Sequence, residues 1–115
     1  MKQYEIDDLR DSDYTKIKSY MVENYSRSSV GEVYWIPIDD DMLSDVQREH
    51  IQCKPFYFAV ELNPQAFTVE LLVRTKNKMR CNCMAYATER QMIWCINCAN
   101  AIFEKLNIIT ESGCA

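Results

Sequence analysis

Apolar positions along the chain change their period several times, and each change marks an element. Downstream of Ile6 and Leu9, the segment Asp11-Ser12-Asp13 offers side-chain oxygens to the free N–H groups of a helix start. Tyr14, Ile17, Met21 and Tyr25 then recur at steps of three and four, while Lys16, Lys18, Glu23 and Asn24 point elsewhere. The pattern predicts a helix over about 13–25, ending in Ser26-Arg27-Ser28-Ser29. Val33-Tyr34-Trp35-Ile36 is dense in β-branched and aromatic residues and stops at Pro37, which has no N–H for a ladder, so it predicts a short strand suited to an edge. Asp39, Asp40 and Asp41 precede Met42 and Leu43; negative charge at a helix start is favoured, which predicts a second, shorter helix through about Ile51.

From Phe56 the period becomes two. Phe56, Phe58, Val60 and Leu62 share one face and Tyr57, Ala59 and Glu61 the other. Asn63-Pro64-Gln65-Ala66 supplies a turn, and Phe67, Val69, Leu71 and Val73 then alternate against Thr68, Glu70, Leu72 and Arg74. A second turn over Thr75 to Lys78 leads to a third strand in which Met79, Cys81 and Cys83 alternate with Arg80, Asn82 and Met84. Thr88 can cap a final helix reaching about Asn107, whose stripe of Met92, Cys95, Ile96, Ala99, Ile102, Phe103 and Leu106 is broad enough to cover the apolar sheet face. The fold class expected is α+β: a three- to four-stranded, mainly antiparallel sheet, with its meander over 55–84, packed against a C-terminal helix and accompanied by two N-terminal helices. Residues 1–115 read as a single domain with a frayed tail after Ile109.

Composition narrows the classes. Of the 115 residues 48% are apolar and 26% charged, with two glycines and three prolines, which describes an ordered globular chain. The polar start and the lack of a long apolar run predict a cytoplasmic protein without a membrane span. A net charge of −4 opposes phosphate backbones and anionic lipid, which sets nucleic acid and membrane aside as partners. The basic run Arg74-Thr75-Lys76-Asn77-Lys78-Met79-Arg80 reads as a solvated hairpin tip. Gly31 and Gly113 are the only glycines and no phosphate-loop or nucleophile-elbow motif occurs, which argues against nucleotide-dependent chemistry.

The six cysteines are the one chemical peculiarity. Reduced thiols at Cys81, Cys83 and Cys95 fall where the period predicts core, and free cysteine is among the most buried residue types. The alternative is a thiol-based zinc-binding or redox-responsive site using Cys81, Cys83, Cys95 and Cys98. Spacing argues against it: strand residues two apart are roughly 6.5–7 Å from each other, and metal-binding C-x-x-C pairs usually sit on tight knuckles, not inside helices. A thioredoxin-like use of Cys95-x-x-Cys98 fails because the first cysteine lies well inside the helix, far from the dipole that lowers a thiol pKa. His50, the only histidine, reads first as a surface residue ending the short helix; with Cys53 it can also join a metal site or pair with a thiolate. Asp39 to Asp41 read as capping charge before cation ligands.

No nucleophile is paired with a base and an orienting group, which leaves a small enzyme built on His50, Cys53 and the acidic run as a third reading. The second face of the meander, with Tyr57, Ala59, Leu72 and Met84 beside Glu61, Glu70, Arg74 and Arg80, is too apolar for a fully solvated face; the first two helices or a second copy are expected to cover it. Tyrosine and tryptophan anchor interfaces. The expected function is a cytoplasmic protein-interaction or regulatory domain without cofactor, self-associating through the sheet edge or this mixed face or meeting another protein there, with Tyr34, Trp35, Tyr57, Leu72 and Met84 as its contacts; the alternative is that these aromatics simply finish the core.

Overall fold

The computed structural model describes residues 2–27, 31–75 and 83–108. Among these residues the elements follow as β1 (Gln3–Ile6), α1 (Asp11–Asn24), β2 (Ser26–Arg27), β3 (Val33–Pro37), α2 (Asp45–Glu49), β4 (Phe56–Asn63), β5 (Ala66–Glu70), β6 (Arg74–Thr75) and α3 (Glu89–Lys105), with 3-10 turns at Asp40–Met42 and Ile51–Cys53. The strands form one antiparallel sheet in the order β1-β5-β4-β3-β2, with β6 also beside β4. The class is α+β as expected, with a larger sheet. The extra strands are β1 and β2, of four and two residues, too short for a period to show. β2 caps what the sequence presents as an edge, so β3 is an interior strand.

The β4–β5 hairpin turns on Pro64-Gln65, with Asn63 opposite Ala66; the Asn63 side-chain oxygen accepts the backbone N–H groups of Gln65 and Ala66, both at 2.9 Å. Val60 faces Val69 and Tyr57 faces Arg74, so Phe58 and Ala59 oppose the four residues from Glu70 to Val73. This double bulge interrupts the alternation predicted over 67–73. The freed stretch pairs elsewhere: Leu71 N–H donates to Lys2 C=O at 3.1 Å, Val73 N–H to Ala85 C=O at 2.9 Å, and Ala87 N–H to Leu71 C=O at 2.7 Å. The chain thus returns to the sheet at Ala85–Ala87. Of the third strand predicted over Met79–Met84, residues 79–82 lie outside the described residues, Cys83 occupies a turn and Met84 is in no strand.

Caps are placed by side-chain reach. At α1 the N-cap is Arg10; the buried Asp13 carboxylate, one turn in, accepts the Arg10 backbone N–H at 3.2 Å and its guanidinium at 3.0 and 3.1 Å. The helix expected behind the Asp39–Asp41 run starts later, because Ser44 and Gln47 form a reciprocal capping box while Asp40 and Asp41 sit in a 3-10 turn. Thr88 caps α3 as expected, in a matching box with Gln91.

Ile17 and Met21 of α1 and Cys95, Ala99, Ile102 and Phe103 of α3 join the inward strand residues, from Ile6 and Tyr34 to Phe67 and Val69, in one buried cluster. Phe103 meets Phe67 edge-on at 5.3 Å, Trp94 stacks on Phe58 at 6.3 Å and the Tyr4 hydroxyl donates to Asn100 at 3.1 Å. Both long helices therefore lie on the same side of the sheet, and among the described residues no helix covers the other face. That corrects the expectation that an N-terminal helix shields it. No helix among the described residues is long and apolar enough to cross a membrane.

Candidate functional site

The uncovered face is built by the residues that alternate outward. One row across it reads Val33, Glu61, Thr68, Glu5; another pairs Trp35 with Ala59 and Glu70 with Gln3; a third reads Pro37, Tyr57, Arg74. Sheet twist and the double bulge make this face concave, with a volume of about 670 Å³. Trp35 and Tyr57 meet edge-on at 6.0 Å at its aromatic end. Glu5, Glu61 and Glu70 make the β1–β5 side acidic. Among the described residues its one guanidinium, Arg74, is held by Glu70 through bonds of 2.6 and 3.3 Å, and the Thr68 hydroxyl donates to Glu5 at 3.0 Å.

The residues singled out from the sequence separate. Trp35 and Tyr57 stand on the open face, half-buried. Tyr34, one position over, is 0% exposed in the core, and among the described residues its hydroxyl has no hydrogen-bond partner. It therefore offers nothing to a partner. Leu72 is turned by the bulge into a bridge with Tyr86, and neither it nor Met84 lines the concavity. Arg80 and Cys81 lie outside the described residues.

The thiols also part company. Cys95 is buried under α3, where loss of solvation, reinforced by Cys98, pushes its pKa up to about 12. Cys98 is half-buried and its pKa is raised by burial and by Asp39. Neither joins Cys83, which instead lies beside His50 and Cys53, the donor atoms of all three being within 4.8 Å of one another. His50 and Cys53 bound the 3-10 turn that follows α2, with Cys53 N–H donating to His50 C=O at 3.0 Å. Gln47 Nε2 donates to Cys83 C=O at 3.1 Å, and the Thr75 hydroxyl donates to Cys53 C=O. Gln47 is in turn held by Gln91, whose Nε2 donates to Gln47 Oε1 at 2.8 Å and to Met42 C=O at 2.9 Å. Both glutamines are buried, so the network is shielded from water.

Sequence reasoning assigned neither glutamine a role, although each is the fourth residue of a Ser/Thr-x-x-Gln box, which is a readable signal. It did mark His50 and Cys53 as partners, but the arrival of Cys83 depends on the path of the chain after β6. No family model matches this chain, and no curated protein or solved structure is found to be similar to it.

Proposed function

We propose that the domain is a cytoplasmic protein-interaction module whose open sheet face takes a basic segment of a protein partner. The observation that carries this reading is the concave face itself, an aromatic pair next to three carboxylates, where among the described residues the one lining guanidinium, Arg74, is engaged by Glu70. Lysine or arginine on a bound segment gains from Glu61 and Glu5 by charge, while its apolar residues cover Val33 and Ala59. A second copy suits the face poorly, because it brings the same carboxylates to it; self-association is better served by the outer edge of β1. A cytoplasmic setting fits the reduced thiols of Cys95 and Cys98.

The test uses a Trp94→Phe variant, in which Trp35 is the only tryptophan. Strand-length peptides rich in lysine and arginine are expected to shift its emission, with affinity falling as salt rises. Glu5→Lys with Glu61→Lys is expected to weaken binding by about tenfold or more, equivalent to about 1.4 kcal/mol. An equal response to acidic peptides, or none to either set, counts against the reading. A dimer in light scattering that buries Trp35 reassigns the face to a second copy.

A further inference from the structure

Three soft donors that lie far apart in sequence converge where α2 ends and the chain approaches α3. We infer that His50, Cys53 and Cys83 form a binding site for one divalent ion of the zinc class. The inference is independent of the sheet-face reading, since the two sites share no residue.

Three donors no more than 4.8 Å apart leave an ion at their centre at most about 2.8 Å from each. Zinc takes thiolate sulfur at about 2.3 Å and imidazole nitrogen at about 2.0–2.1 Å, so each donor has to move inward by well under an ångström. Two of the three are already paired by local structure: side chains three apart on a 3-10 turn eclipse one another, which brings His50 and Cys53 to the same side of Ile51–Cys53. That turn supplies the knuckle which the helical Cys95-x-x-Cys98 lacks.

The surroundings brace the donors. The carbonyl of Cys83 is held by Gln47 and that of Cys53 by Thr75, so both cysteine backbones are anchored by hydrogen bonds from other elements. Outer contacts of this kind orient ligands and tune affinity. Cys53 and Cys83 are each 1% exposed, while His50 is half-buried and Ile51 and Gln52 are exposed, so among the described residues the turn is the side of the site nearest solvent.

Chemistry then selects the ion. Two sulfurs and an imidazole favour zinc over magnesium or calcium, which need oxygen ligands. On binding, the two thiols release their protons to solvent, and the resulting thiolates balance the dication. The buried assembly is neutral, which avoids the cost of an isolated interior charge. A water or one further donor completes the tetrahedron. An ion held here clamps the end of α2 to the segment entering α3, in parallel with the Gln47–Gln91 bond.

The experiment uses the full chain, free of any tag, grown with zinc and purified under a phosphine reductant without chelator. About one zinc per chain is expected by mass spectrometry, and cobalt(II) exchanged into the site is expected to show a sulfur-to-metal charge-transfer band and the visible absorption of a tetrahedral site. His50→Ala, Cys53→Ser and Cys83→Ser should each weaken zinc by about tenfold or more in competition with a chromophoric chelator. The Cys95→Ser control should retain it. His50→Cys, which keeps three soft donors, should also retain zinc, separating loss of ligation from loss of packing. Three results overturn the inference: a folded wild-type chain that takes up neither zinc nor cobalt, Cys53→Ser or Cys83→Ser variants that hold zinc as tightly as the wild type, or a Cys53–Cys83 disulfide in protein kept under reductant.

Discussion

Tyr34 and Trp35 are adjacent in sequence and have opposite environments, because successive strand residues face opposite sides of a sheet. The phenol of Tyr34 is fully buried and among the described residues its hydroxyl is unpaired. An unpaired buried polar atom costs about 1–3 kcal/mol, so Tyr34→Phe is expected to leave stability unchanged or to raise it by a fraction of that amount, read from urea unfolding. A loss above about 1 kcal/mol would reveal a buried water as the partner of this hydroxyl. Cys95 shows the same dependence on surroundings: burial disfavours its thiolate and makes it a packing residue. The sequence places Cys83 and Cys95 inside, as they are, but only Cys95 lies on the element whose stripe predicts it; Cys83 is buried in a turn and not on a strand. It does not reveal that Cys83 meets His50 and Cys53 while Cys95 does not, because periodicity reports a face and not the neighbours across it.

At the level of elements, α3 is the part most legible in advance. A long amphipathic stripe and a Thr88 cap with Gln91 three residues on leave little choice of start or face. Thr88→Ala is expected to cost about 1 kcal/mol, measured as a lower urea midpoint at unchanged slope. An unchanged midpoint would mean that the Gln91 side of the box suffices. The acidic run misled for a physical reason: charge near a helix start contributes a few tenths of a kcal/mol up to about 1, whereas a capping box satisfies two backbone donors, and Ser44 with Gln47 provides one. Short strands escaped altogether. β1 is a strand because β5 presents an unpaired edge to it, and four residues carry no period of their own.

Across the whole molecule, two carboxylates fix α1, Asp13 by closing the helix's own N-terminus with Arg10 and Glu32 by tying it to the start of β3. Hydrogen bonding to Arg10 holds the Asp13 carboxyl below its ordinary pKa, and a 2.7 Å bond from the Tyr14 hydroxyl, with Lys18 at 3.0 Å, does the same for Glu32 at the start of β3. A carboxylate depressed in the folded state adds stability at pH values above its unfolded pKa, and that contribution disappears as pH falls through the folded value. Stability is therefore expected to be level near neutrality and to fall below about pH 4. Asp13→Asn with Glu32→Gln should flatten that fall in urea midpoints taken at successive pH values; an equally steep fall would place the acid-sensitive groups elsewhere.

The division between sequence and tertiary structure follows from the range of the forces involved. Hydrophobic period, turn residues and caps act within a few residues, and so the sequence by itself determined the α+β class, the β4–β5 hairpin, α1, α3 and the apolar face between them. Pairing across long separations is decided by which edges remain open once those elements have packed. Only the tertiary structure decided that β1 adds to β5, that α1 and α3 share one side and leave a concave acidic and aromatic face on the other, and that a 3-10 turn and a distant cysteine meet at His50.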